Sequence, residues 1–461
     1  VLPLALLTLP ALACTDSNPS NGEGADEVEG ESTDTTDTET SGEPLRPNWH
    51  QDIAPLVTEN CMGCHEEGGI APFALSSYTQ AALWSTLMAD SAEARSMPPW
   101  HAVETDECQP PFPFLHDARL SDDEIALLRE WADLGAPEGD PADAAPLPDP
   151  QNLELANPTT VVTMDASLEI DVEGQTRDFF HCVSFDPGND QDVYVDGLQV
   201  VPGNRSIVHH VVVYLDESAT SAGWTDGVKQ DCGGGAGIPN ATMIAAWVPG
   251  GLPTETPAGV GIELPAGSRL IYNVHYHATG TGPELDDATG VALRWTTDAP
   301  EWVSRFALIG APGSGTAQTG EFVIPAGATD HVEEYEWEVA GVPDAAEARV
   351  WLIAGHMHKV AVDLKASFVS GADDTCLLQT PAWDFNWQRS YVYDTPIEAA
   401  PRVVTGDRVR VRCTYDNTLD NPALLEALAE VGADAPIDVE LGEETLDEMC
   451  IAAVGVAVRS N

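Results

Sequence analysis

From residue 158 onward the chain is written in short runs of β-branched and aromatic residues, separated by Gly, Pro, Asn and Asp clusters. The clearest are VVTMDASLEIDV, SIVHHVVVYL, RLIYNVHYHA, ARVWLIAGHMHKVAVDLKASF, DRVRVRCTY and MCIAAVGVAV. Such segments satisfy their backbone polar groups by pairing sideways, and an apolar face then requires a second layer to cover it. The rhythm therefore restricts this region to an all-β arrangement. At about 300 residues it exceeds what one sandwich organises. Two tandem antiparallel β-sandwiches are expected, residues 158–300 and 301–461, dividing at the DAPEW turn.

The preceding sequence has a different period. Residues 46–140 carry short amphipathic helical patterns, clearest in LSDDEIALLREWADLG. There Ser121 can cap, Glu124 completes a capping box, and Ile125, Leu128 and Trp131 recur at helical spacing before Gly135 stops the helix. A Pro, Ala and Asp-rich linker over residues 141–157 separates this helical module from the strands. Residues 15–45 are Ser, Thr, Asp, Glu and Gly with almost nothing to bury, and read as an extended acidic tether. Residues 1–14 are apolar up to small residues before Cys14, the pattern of a secretory signal of the lipoprotein kind. Export to the periplasm or cell surface with a lipid on Cys14 is expected, and no stretch is long enough to span a bilayer. With 76 acidic and 19 basic residues, the net charge of -57 argues against nucleic acid or an anionic membrane surface as a partner.

Cys61-Met62-Gly63-Cys64-His65 is a C-x-x-C-H run, the attachment sequence for c-type haem. Both thiols add to the haem and His65 ligates iron from one side. A redox dithiol or half a zinc site is the competing reading of a lone C-x-x-C, which the adjacent His and the exported context disfavour. Met97, in the Pro-braced RSMPPW segment, is the expected sixth ligand. Met62 and Met88 are weaker candidates, the first inside the attachment loop and the second on a helical pattern, and His101 and His116 are weaker again. Residues 47–140 resemble small class I type cytochrome c domains, which implies electron transfer as the role of the haem.

Six of the twelve histidines fall into three tight clusters within strand-like runs: His209 and His210, His275 and His277, His356 and His358. Residues i and i+2 of a strand share a face, so the second and third pairs can each converge on one ion. Adjacent His209 and His210 point to opposite faces unless a bulge or strand end re-aims one of them. Imidazole suits zinc, copper and nickel, whereas the thioether of Met449, in LDEMC, favours copper. No carboxylate lies within the clusters to complete an iron-type facial triad, and copper is the expected metal.

The order of these motifs, H-H, then VHYH, then H-x-H, then G-D-x-x-x-x-x-C from Gly406, then E-M-C, resembles the copper type II ascorbate-dependent monooxygenases. That is the family of peptidylglycine α-hydroxylating monooxygenase and dopamine β-monooxygenase. AAWVPGG, PAGVGIEL and DFNWQ add to the resemblance, which covers roughly residues 158–458. It implies two copper ions, one per sandwich, facing each other across a solvent-filled cleft. His209, His210 and His275 would hold the electron-storing copper, while His356, His358 and Met449 would hold the catalytic copper that meets O2. His277 then has no ligand role, and Cys413 with Cys450 corresponds to a family disulfide. Peptide-amidating members carry an Arg two residues before H-x-H, where this chain has Ala354, and an Asn and a Tyr where it has Ile451 and Ala453. An apolar pocket, and a small or hydrophobic organic substrate, are expected instead.

Of the remaining cysteines, Cys182 with Cys232 is one pair the first sandwich allows and Cys108 with Cys376 can be free, but sequence does not fix the connectivity of these four. The sequence thus reads as a copper monooxygenase that hydroxylates a C–H bond with O2. Its electrons pass from an external reductant (ascorbate or a redox protein) through the haem to the three-histidine copper and then to the methionine-ligated one. A non-catalytic copper and haem electron-transfer surface protein is the alternative, and haem-based redox sensing a third.

Overall fold

The computed structural model describes residues 46–67, 71–149, 154–173, 177–248, 251–310, 322–340, 342, 347–442, 444 and 446–460. Pro47–Asn461 make up one unit and residues 1–46 another, almost all of which, including the expected signal, Cys14 and the acidic tether, lies outside the described residues. The chain is mostly β. A ten-stranded sheet runs in the order Thr160–Thr163, Gly290–Thr296, Val193–Val201, Val260–Leu264, Trp302–Ile309, Ile451–Arg459, Ala348–His356 and Ser390–Val392, with two short strands on its flanks. A five-stranded sheet centred on Arg269–His277 covers one half of it, and a four-stranded sheet centred on Arg408–Tyr415 and Ala361–Ser370 belongs with the other half.

Two apolar cores fill these layers. Val195, Leu198, Ile262 and Leu293 of the large sheet meet Val211, Val213, Tyr272 and Val274 of the five-stranded sheet. Val350, Ile353, Ala452 and Val454 meet Leu364, Ala366, Val409 and Val411. The period of two is clean in Arg408–Tyr415: Val409, Val411, Cys413 and Tyr415 are buried, while Arg408 and Arg410 face outward onto Glu336. The Arg269–His277 strand is instead buried on both faces. Its second face lies under the loop after Asp231, where Cys182 is bridged to Cys232 and Asn273 donates to the Gly235 carbonyl at 2.6 Å.

The two halves share one sheet. Val260–Leu264 of the first half pairs in parallel with Trp302–Ile309 of the second, through Trp302, Val303 and Ser304. Trp302, Trp351 and Val260 seal this seam, and Trp351 Nε1 donates to Ser304 Oγ at 3.0 Å.

Helices Ala54–Asn60, Tyr78–Glu93 and Asp122–Asp133 pack around Trp49, Ile53, Leu128 and Trp131 as a separate small core. The last begins with the reciprocal Ser121 and Glu124 capping box. Between the second and third helices the chain leaves this core. Trp100 and Ala102 are buried in the second sandwich, Phe112 and Phe114 pack against it, and Phe114 forms a β-bridge with Tyr393. The arm is also covalently fastened, because Cys108 and Cys376 form a disulfide with Cα atoms 5.2 Å apart. The sequence left the pairing of these two cysteines open, with both free as one reading, and the structure joins them. They are 268 residues apart, and only the course of the 100–118 arm across the sheet brings them together. With Cys182–Cys232 and Cys413–Cys450 there are three bridges among the described residues, where no helix is long and apolar enough to cross a membrane. Both observations are compatible with an exported protein.

Candidate metal centre

The H-H pair sits at the start of the Val208–Asp216 strand, beside Arg269–His277. His210 lies opposite His275, but Tyr276 pairs with Val208, so His209 is the extra residue of a β-bulge. That bulge turns adjacent side chains toward one point. His209 Nδ1 lies 3.3 Å from His210 Nδ1, which lies 3.2 Å from His275 Nδ1. Nitrogens about 2.0 Å from a shared tetrahedral ion sit about 3.3 Å apart, so the spacing fits a metal triad.

Asp178 of the neighbouring strand sets the tautomer of His275. Its Oδ1 accepts from His275 Nε2 at 2.9 Å, which requires the proton there and leaves the Nδ1 lone pair facing His210. Phe180 stacks on the His275 ring at 4.4 Å. His277, two residues on, bonds the same Asp178 oxygen through Nδ1 at 2.8 Å, and that carboxylate raises its pKa. The structure thus places His277 behind the triad. Burial holds His209 and His210 well below the ordinary imidazole range, so both are neutral and available as ligands.

His356 ends the Ala348–His356 strand and His358 follows it, with Met357 buried in the core on the opposite side. Here the other ring nitrogen is offered. His356 Nδ1 donates to Gln388 Oε1 at 2.6 Å, the Gln388 amide being oriented by its own bond to the Phe385 carbonyl at 3.0 Å. His358 Nδ1 donates to the Asp447 carbonyl at 3.0 Å. Both rings therefore keep a lone pair on Nε2, and burial lowers the pKa of His356 and pushes that of His358 down to about 3.

Met449 faces the same cavity as His356 and His358. Its backbone carbonyl accepts from Tyr415 Oη at 2.8 Å, and the next residue, Cys450, is bridged to Cys413. Glu448 lies between the two arms of this site. Its fully buried carboxyl accepts from the N–H of His358 at 2.7 Å, Met449 at 2.8 Å and Val360 at 3.1 Å, and burial pushes its pKa up to about 8.

The two sets stand close together. The His210 and His356 rings are 5.8 Å apart between centroids, and both line one cavity of ≈ 400 Å³. Phe385 stacks on His209 at 4.8 Å and meets His358 edge-on at 5.7 Å. The remaining wall is largely apolar, with Met243, Trp247, Phe306 and Leu308 joined by Ala354, Ile451 and Ala453. Such a wall accepts hydrocarbon or aromatic surface.

In the helical module, Cys61 and Cys64 are free and follow the Ala54–Asn60 helix in a tight turn, where Cys64 N–H and His65 N–H both bond the Cys61 carbonyl. His65 Nδ1 donates to the Phe73 carbonyl at 3.0 Å, leaving Nε2 with its lone pair, the arrangement an axial ligand needs. Phe73 packs on His65 and Trp84 stacks on Phe73. Met97 is half-buried, with its N–H on the Ser91 carbonyl and a cis bond to Pro98. His101 lies near Trp387 and Arg389, and His116 borders a small cavity with Trp100, so both alternatives to Met97 lie beside the sandwiches.

Sequence reasoning did not find Asp178, Gln388 or Glu448. None carries a spacing signal, although Gln388 lies in DFNWQ and Glu448 in LDEMC. The sequence matches no protein-family profile and no curated protein. Among solved structures, similarity is recorded to the major capsid protein P2 from Bacteriophage PM2, with 11% identity over 67% of this chain and 97% of that one at a TM-score of 0.20. It is also recorded to the infectious bursal disease virus Gx strain, with 9% identity over 67% of this chain and 74% of that one at a TM-score of 0.15. Backbone agreement this low carries no argument about fold or activity.

Proposed function

We propose that this chain is an exported, lipid-anchored copper monooxygenase that hydroxylates a C–H bond of a small, hydrophobic organic substrate, with electrons supplied through its c-type haem module. The observation that carries this reading is one apolar cavity bordered by His210 of a convergent Nδ1 triad and by the His356, His358 and Met449 donor set. Copper at these residues would supply one-electron redox chemistry toward O2, and the thioether donor suits its reduced state. The protein's own residues do the rest. Asp178, Gln388 and the Asp447 carbonyl fix the ring tautomers, Glu448 and Tyr415 hold the segment bearing Met449, and the Ala354, Ile451 and Ala453 wall excludes water from the substrate's C–H. The overall balance is substrate C–H, O2, two electrons and two protons in, and C–OH and water out.

Cys61, Cys64 and His65, with Met97 as sixth ligand, would hold a haem with no open coordination position, suited to electron transfer. Substrate-dependent O2 uptake by copper-loaded protein, screened over neutral aromatic and aliphatic compounds with ascorbate as external donor, tests the reading. Uptake coupled to a hydroxylated product supports it. Copper and haem binding with no substrate-dependent uptake favours a non-catalytic electron carrier, and amidation of a glycine-extended peptide would refute the apolar substrate class.

A further inference from the structure

Residues Asp384–Arg389 touch both sides of the molecule that the proposed chemistry must connect. The Arg389 guanidinium lies over the ring of Trp100, 5.9 Å from its centroid, on the arm that leaves the helical module and three residues beyond Met97. Arg389 is also within electrostatic reach of the Cys64 thiol, and it has no carboxylate partner among the described residues despite the acidity of the chain. On the copper side, Gln388 accepts from His356 at 2.6 Å, and Phe385 stacks on His209. Arg389 lines the apolar cavity together with His356 and Met449, and also the smaller one shared with Trp100.

The connection has a direction. Arg389 and Gln388 are consecutive, so a single peptide unit and one short hydrogen bond lead from the Trp100 contact to His356. Reaching the three-histidine set along the same segment requires three residues more, back to Phe385. Arg205 is likewise within electrostatic reach of Cys64, but its side chain is exposed and three residues of chain separate it from His209.

We propose that the Trp100, Arg389 and Gln388 contacts form the route by which an electron leaves the haem, and that it enters at the His356, His358 and Met449 site rather than at the three-histidine set. This rests on the copper and haem reading above, and it reverses the order expected from sequence. In the step, ferrous haem loses one electron and Cu(II) at the methionine-bearing site gains it, with no bond made or broken.

The test is anaerobic stopped-flow of full-length protein carrying reduced haem against Cu(II), followed at the haem α-band. Covalent haem content, copper stoichiometry and haem midpoint potential are measured in parallel. In H209A/H210A, which keeps only the methionine-bearing site, the fast reoxidation phase is expected to persist. In Arg389→Leu it should slow by about tenfold, equivalent to about 1.4 kcal/mol of barrier. That slowing would occur although removal of a nearby cation lowers the haem potential and so increases the driving force. Arg389→Lys, which restores the charge but not the planar contact with Trp100, should stay slow. Loss of the fast phase in H209A/H210A with the methionine-bearing site still loaded overturns the order of transfer. An unchanged rate in Arg389→Leu overturns the route. Absence of covalent haem, of bound copper, or of any copper-dependent reoxidation in the parent protein overturns the underlying functional reading, and the route with it.

Discussion

Replacing Glu448 by Ala isolates what holds the methionine-bearing site together. Three backbone N–H groups, those of His358, Met449 and Val360, are aimed at this one buried carboxyl. Each loses its acceptor in the variant, at about 1–3 kcal/mol per buried unsatisfied group, and water entering the space left by the side chain brings the total toward the lower end, about 4 kcal/mol. At about 2 °C per kcal/mol for a chain of this size, the melting midpoint should fall by about 8 °C. Glu448→Gln is not a gentle alternative, because its amide would turn two donors toward groups that are themselves donors. The effect on metal should be selective, since Glu448 contacts residues of one donor set only. Differential scanning calorimetry with chelator-competition copper titration checks both parts. Copper affinity at the His356, His358 and Met449 set is expected to drop while the three-histidine set is unaffected. A melting shift under about 2 °C, or equal loss at both sets, would refute the clamp role.

Asp178→Asn should weaken copper at the three-histidine set by about 10–100-fold, because the amide no longer dictates the His275 tautomer; a competition titration reads it. His277→Ala should leave the copper stoichiometry at that set unchanged, since His277 reaches Asp178 and not the triad. Replacing Cys108 and Cys376 together by Ser should cost about 2–4 kcal/mol, seen as faster proteolysis within the 100–118 arm while the sandwich cores stay protected. His181 is held below its ordinary value of 6.5 by burial and accepts the Asp231 N–H through Nδ1. A base with a depressed folded pKa contributes stability that is present above pH 6.5 and lost as pH falls through the folded value. Thermal midpoints from pH 8 down to 5 should therefore decline in the parent more than in His181→Phe.

The parts of this molecule legible in its sequence are those set by neighbours along the chain. Alternation in DRVRVRCTY marks its inward face, Ser121 and Glu124 mark a helix start, and the H-H dipeptide calls for the bulge found at His209. H-x-H brought His356 and His358 to one side, with Met357 on the other. The same strand rule made His275 and His277 equivalent, and only Asp178, on a strand about a hundred residues away, separates their roles. Gln388, Glu448 and the Cys108–Cys376 bridge were likewise unreadable, because each depends on which distant strand or arm lies alongside. The expected mostly-β character is present, but the expected division into two tandem sandwiches gave no sign of the parallel pairing of Val260–Leu264 with Trp302–Ile309, since strand order is decided by packing and not by local pattern.

That pairing has a consequence for how such a centre can be tuned. A hinge between the halves would have to unzip the rungs at Trp302, Val303 and Ser304 and expose two buried tryptophans, Trp302 and Trp351. Register along a ladder changes only in whole-residue steps, and each step turns every side chain to the other face. The ladder thus ties the sheet that carries His356 to the sheet on which the strands of His209, His210 and His275 pack, and leaves the interval between the two histidine sets to that packing. What remains adjustable is the lining: exchanging Met243, Leu308 or Ala354 for larger or smaller residues alters which molecules fit beside the donors without moving the donors themselves.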